Sequence, residues 1–87
     1  MSISGLVITL TDDPRAAGEA LRKIAEDRRF SIGERDGLFV AVVLEASTDA
    51  EAEETVRELG TTPGIAKVDV VYVQLANEDP LLEAAAI

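Results

Sequence analysis

Two pairs of adjacent carboxylates, Asp12-Asp13 and Glu53-Glu54, are the residues whose type and spacing could hold a metal ion or do acid-base work. Gly60 and Gly64 are the glycines that could open a phosphate-binding loop. Each has a simpler place. Asp13 stands directly before Pro14 as a helix N-cap, where negative charge is stabilised by the helix N-terminus. Glu53 and Glu54 fall on the solvated face of a second helix that Gly60 closes. Gly64 ends the turn Thr61-Thr62-Pro63-Gly64, and no Gly-Lys-Ser/Thr follows it. The chain has no Cys and no His. That removes thiol nucleophiles, the usual zinc, copper and iron-sulfur ligand sets, and imidazole acid-base chemistry. The residues therefore point away from an enzyme, with no catalytic group, cofactor or metal expected, and toward a protein that binds something.

Charge and composition narrow what is bound. Seventeen acidic residues against eight basic ones give a net charge of -9, and the aromatics are three, Phe30, Phe39 and Tyr72. Nucleic acid is disfavoured, because phosphates want a basic surface and single strands want stacking platforms. The acidic balance has two readings, solubility alone or electrostatic attraction to a basic partner. Met1 to Gly5 carries no basic stretch, and the apolar run Leu6 to Leu10 is too short for a signal sequence or a membrane span, so a cytoplasmic location is expected.

These residues are held by six elements. Ile3 to Leu10 alternates as a strand, with Leu6, Ile8 and Leu10 on one face and Gly5, Val7 and Thr9 on the other. A helix follows from Pro14 to about Asp27, its buried stripe made by Ala17, Ala20, Leu21 and Ile24. Phe30 to Glu34 reads as a short edge strand with Phe30 and Ile32 turned inward, and Arg35-Asp36-Gly37 returns the chain as a hairpin. Gly37 to Ala46 is the longest apolar run and the expected central strand. It places Leu38, Val40, Val42 and Leu44 on one side and Phe39, Ala41, Val43 and Glu45 on the other. Thr48-Asp49-Ala50-Glu51 fits a capping box, and Ala52, Thr55, Val56 and Leu59 give the stripe of the second helix. Ile65 to Gln74 closes the set, with Val68, Val70 and Tyr72 expected toward the helices and Lys67, Asp69, Val71 and Val73 away from them. Residues 1–75 form one domain. Residues 76–87, with Asp79-Pro80 ahead of Leu81-Leu82, are a loose tail too short for a helix stable alone.

The order strand, helix, strand, strand, helix, strand with right-handed crossovers predicts an α+β domain of the ferredoxin-like split β-α-β kind (βαββαβ). It has a four-stranded antiparallel sheet in the order 4-1-3-2 with two helices on one face. Copper carriers of this fold need paired cysteines, and its acylphosphatases need an arginine loop after the first strand, where this chain is acidic. What remains is the sheet face turned away from the helices. It carries Gly5, Val7, Thr9, Phe39, Ala41, Val43, Val71 and Val73 as a shallow apolar floor, with Glu45 and Asp69 beside it. Such a floor suits an amphipathic helix, a basic one in particular, or a second copy of itself, giving a monomer or a weak homodimer.

Four stretches together resemble the NapD family, the small cytoplasmic chaperones of periplasmic nitrate reductase. Ile3-Ser4-Gly5-Leu6-Val7-Ile8 is similar to the family's opening strand, and Phe39 to Ala46 to its central strand ending in Glu-Ala. Thr62-Pro63-Gly64-Ile65 resembles its Pro-Gly turn, and Val70-Val71-Tyr72-Val73-Gln74 its closing Val-Tyr-His-Gln, with Val73 in place of the His. The first helix also ends in Glu26-Asp27-Arg28-Arg29, where the family commonly has a Pro-Gly turn. The resemblance implies a chaperone that binds the twin-arginine signal peptide of a nitrate reductase catalytic-subunit precursor and delays export until molybdenum cofactor is inserted. The other class open to this fold is a small-molecule-sensing or dimerisation module.

Overall fold

The computed structural model describes residues 1–75, so the tail expected over 76–87 lies outside the described residues. Six elements run β1 (Ser2–Leu10), α1 (Pro14–Glu26), β2 (Phe30–Asp36), β3 (Phe39–Ala46), α2 (Asp49–Gly60) and β4 (Ile65–Leu75). The strands form one antiparallel sheet in the order β2-β3-β1-β4, the predicted ferredoxin-like arrangement.

The helices start where the side chains can satisfy free backbone donors. Asp13 Oδ1 accepts from the backbone N-H of Arg15 at 3.1 Å and of Ala16 at 3.4 Å, with Pro14 in the first turn. Thr48 Oγ1 accepts from Glu51 N at 3.1 Å, while the Glu51 carboxylate reaches back to Ser47 N at 3.2 Å. Both helices press their apolar stripes onto one side of the sheet. There Leu6, Ile8, Val40, Val42 and Leu44 meet Ala17, Ala20, Ile24 and Leu59. Each fully buried Leu, Ile or Val contributes about 1.5–3 kcal/mol relative to exposure, and this one-sided layer is the core of the described residues.

The segment Glu26-Asp27-Arg28-Arg29 ends α1 with a clasp. Arg29 donates to Asp27 through Nη2 at 2.8 Å and Nε at 3.2 Å, and through Nη1 to Glu51 at 3.2 Å and to Thr55 Oγ1 at 3.1 Å. The end of α1 is thereby tied to α2. The hydrogen bonds from the Arg29 side chain hold the Asp27 carboxyl below the usual carboxylate range.

Three placements differ from the alternation read in the sequence, and a fourth residue keeps its expected side without the expected burial. Ile32 pairs with Val42 and so lies on the helix side, but it is 41 % exposed because the edge strand β2 runs past the cover of the helices. Leu38 belongs to the β2–β3 turn, ahead of β3, and is exposed; its carbonyl accepts from Leu10 N at 2.7 Å. Tyr72 and Val73 exchange faces. In the β1–β4 ladder Leu6 pairs with Val70 and Gly5 with Tyr72, so Val71 is an extra residue, a β-bulge, and the in-out parity of everything after it is inverted. Tyr72 consequently lies over Gly5 on the open face, and Val73, opposite Ser4, turns to the helix side.

Candidate functional site: the open sheet face

The face away from the helices is built from the alternate residues of four strands. β1 contributes Gly5, Val7 and Thr9, and register places Phe39, Ala41 and Val43 of β3 directly beside them. Small side chains in the middle of the sheet and larger ones at its sides make a trough of about 240 Å³. Gly5, Val7, Ala41 and Val43 are its floor, Val71 and Tyr72 stand along the β4 side, and Ser31 and Gly33 line the β2 side. Phe39 is 55 %, Val71 59 % and Tyr72 48 % exposed. Three large side chains open to water around an apolar floor are the signature of a surface with a use.

Of the residues the sequence put on this face, Gly5, Val7, Thr9, Phe39, Ala41, Val43, Glu45, Asp69 and Val71 are brought together by the register of β1, β3 and β4. Val73 is not among them. It lines a separate groove with Ser4, Val70 and α2 on the helix side. Tyr72 takes a place on the face that alternation alone withholds from it. The available signal was Gly5, since a glycine inside a strand marks a bulge or a close approach. A Cβ on Gly5 would fall inside the Tyr72 ring. Gly5→Ala therefore displaces the ring while the backbone pairing of β1 remains, and the expected result is a folded domain with altered Tyr72 fluorescence. Unchanged Tyr72 emission in the folded variant would remove the ring from this position.

The electrostatics of the face are more local than the net charge suggests. Lys67 Nζ lies 3.5 Å from Asp69 Oδ1, an exposed pair worth no more than about 1 kcal/mol that nonetheless matches one of the two expected acids. Glu45 sits at the other end of the face, lining a concavity with Met1 and Arg28. Many of the acids, among them Glu19, Glu26, Glu53, Glu54 and Glu58, are on the helix layer and act on a partner at this face only through the longer-range field. Among the described residues no group of three or more Asp or Glu side chains is placed to hold a metal ion. Among the same residues no helix is long and apolar enough to cross a membrane.

No family model matches the chain, and no curated protein matches it in sequence. A solved structure does match in shape: the solution structure of the E. coli Tat proofreading chaperone protein NapD. The superposition has a TM-score of 0.68, covers 88 % of this chain and 81 % of that one, and the two are 16 % identical. The two proteins share the fold.

Proposed function

We propose that this chain is a cytoplasmic chaperone of the NapD kind. In this reading its open sheet face binds the twin-arginine signal peptide of a periplasmic nitrate reductase catalytic-subunit precursor and delays export until molybdenum cofactor is inserted. The observation that carries the reading is the apolar trough between Tyr72 and β2 on a sheet face left uncovered by the other described residues, in a fold shared with a proofreading chaperone. A twin-arginine peptide has a basic start and an apolar, helix-prone body. A helix lies lengthwise in a trough floored by Gly5, Val7, Ala41 and Val43, burying its apolar face against Phe39, Val71 and Tyr72. Its guanidinium groups meet carboxylate at Glu45 or exchange for Lys67 on Asp69, and a planar guanidinium fork does this better than an ammonium.

The test is a titration of the full chain with a twin-arginine peptide and with a copy in which both arginines are lysine, at low salt and at several hundred millimolar. The arginine peptide binds more tightly. Its affinity falls with salt by between about twofold and thirtyfold, the range for two exposed pairs at about 0.2–1 kcal/mol each. Equal affinity for the two peptides, or amide shifts confined to the helices, would overturn the assignment of this face.

A further inference from the structure

Gly5 pairs with Tyr72 across the β1–β4 ladder. Side chains of such a pair stand side by side, with Cβ atoms about 4.5–5.5 Å apart, so an upright tyrosine would not meet a methyl group on its neighbour. This one would. The three atoms nearest to a Cβ built on Gly5 are consecutive members of the Tyr72 ring, Cδ1, Cε1 and Cζ, and they occupy its place. The ring has therefore tipped over β1 and lies across the strand, one face turned down onto the Gly5 backbone. Its other face is open to water, for Tyr72 is 48 % exposed. Glycine is what lets the ring down.

An aromatic face is electrostatically negative, and a cation placed over it is attracted. The chain contains one such arrangement, with Arg29 Cζ 5.8 Å from the centroid of the Phe30 ring. No cation lies over Tyr72 among the described residues. The net charge of -9 favours a cation from outside, and Asp69, opposite Val7, belongs to the next pair along the ladder on the same face. A single flat ring does not make the aromatic cage that a rounded ammonium takes. It suits a planar cation, and a guanidinium is planar, weakly hydrated and stacks on aromatic faces while its edge stays free for a carboxylate.

We infer that the upturned face of Tyr72 seats a guanidinium, so that Tyr72, lowered onto Gly5, is the residue by which the open face selects arginine over lysine. This rests on the open face being the peptide site, and it gives the ring a selectivity otherwise left to the carboxylates alone. One arginine of the peptide stacks on the ring, and its N-H edge turns toward Asp69.

The test uses the full chain with the twin-arginine peptide and its lysine copy, and compares the parent protein with Tyr72→Leu, Tyr72→Phe and Gly5→Ala, each shown by a melt to be folded. Tyr72→Leu keeps an apolar side chain without a π face. It is expected to cost the arginine peptide about twofold to thirtyfold in affinity and the lysine copy less, so the ratio between the two falls. Tyr72→Phe keeps the ratio. Gly5→Ala, which retains the tyrosine but lifts its ring, lowers the ratio as Tyr72→Leu does. Tyr72 is the one tyrosine of the chain, so its ring signals are unambiguous, and in the complex they show nuclear Overhauser contacts to arginine Hδ protons. Equal losses for the two peptides in Tyr72→Leu would make the ring a plain apolar contact and overturn the inference, with the peptide site left standing. Ring contacts to the peptide's apolar side chains alone would do the same. If the parent binds neither peptide, or both alike, the peptide site itself fails and the inference falls with it.

Discussion

Val42→Glu abolishes the folded domain, and Val43→Glu, one residue along the same strand, leaves it folded but unable to hold the twin-arginine peptide proposed for the open face. Val42 is 2 % exposed between the sheet and the helices, so its replacement buries a carboxylate with nothing to pair it. That costs several kcal/mol against a total stability of roughly 5–15 kcal/mol. Val43 is half-buried in the floor of the trough, where water reaches the new charge, and the cost to folding is about 1 kcal/mol. In the proposed complex the same charge sits against the apolar side of the peptide, and a contact at the centre of an interface is worth about 2 kcal/mol or more, roughly thirtyfold in affinity. A thermal melt and a peptide titration on each variant, with a sizing column to reveal a sheet-to-sheet dimer, read both effects. Normal peptide binding by folded Val43→Glu would exclude the open face as the binding surface. A collapse equal to that of Val42→Glu would mean the face is covered in the free protein.

Gly64→Ala is the other large effect, and it acts through backbone. Gly64 has φ +95°, and a Cβ there would fall on the carbonyl of Ala16 in α1. No rotamer change relieves a collision with a helix backbone. The same glycine's carbonyl accepts from Thr11 N at 3.0 Å, so moving it also loosens the end of β1. The left-handed conformation and the collision together cost about 3 kcal/mol, which lowers the melting temperature by roughly 12–24 °C in a domain of this size. Gly18→Ala is the control. Nothing lies within 4 Å of a Cβ at this exposed position inside α1, and the variant gains about 0.5–1 kcal/mol. Equal melting of the two variants would mean that Gly64 is not held against α1.

The element order, both helix caps and the two faces of β1 and β3 are legible in the sequence because they rest on local rules. Asp13-Pro14 and Thr48-x-x-Glu51 act on their own backbone, and Val40, Val42 and Leu44 alternate without interruption. The open face was legible to the same extent, since β1 and β3 supply most of it. What alternation could not reach was β4. Whether Tyr72 or Val73 faces the trough depends on Val71 being inserted beside the pairing of Tyr72 with Gly5, far away in the chain, and a period of two within one strand carries no information about its partner. The exposure of Ile32 and Leu38 was out of reach for a related reason: their residue types are apolar, but how far the helices cover the sheet edge is a property of the assembled layers.

The pairing of β1 sets the order in which the chain can finish folding. β1 is made first, yet its neighbours are β3 and β4, and its end residue Ser2 pairs with Ala46 on one side and with Leu75 on the other. Only β2 and β3 form a local hairpin; the remaining ladders close long loops, whose entropy must be lost before the contacts reward it. A chain emerging from the ribosome can therefore assemble β1, α1 and the hairpin, but β1 keeps one bare edge until Ile65 to Leu75 have been made. Tyr72 reaches the open face only when β4 joins β1, so a chain that stops short of β4 has no complete trough.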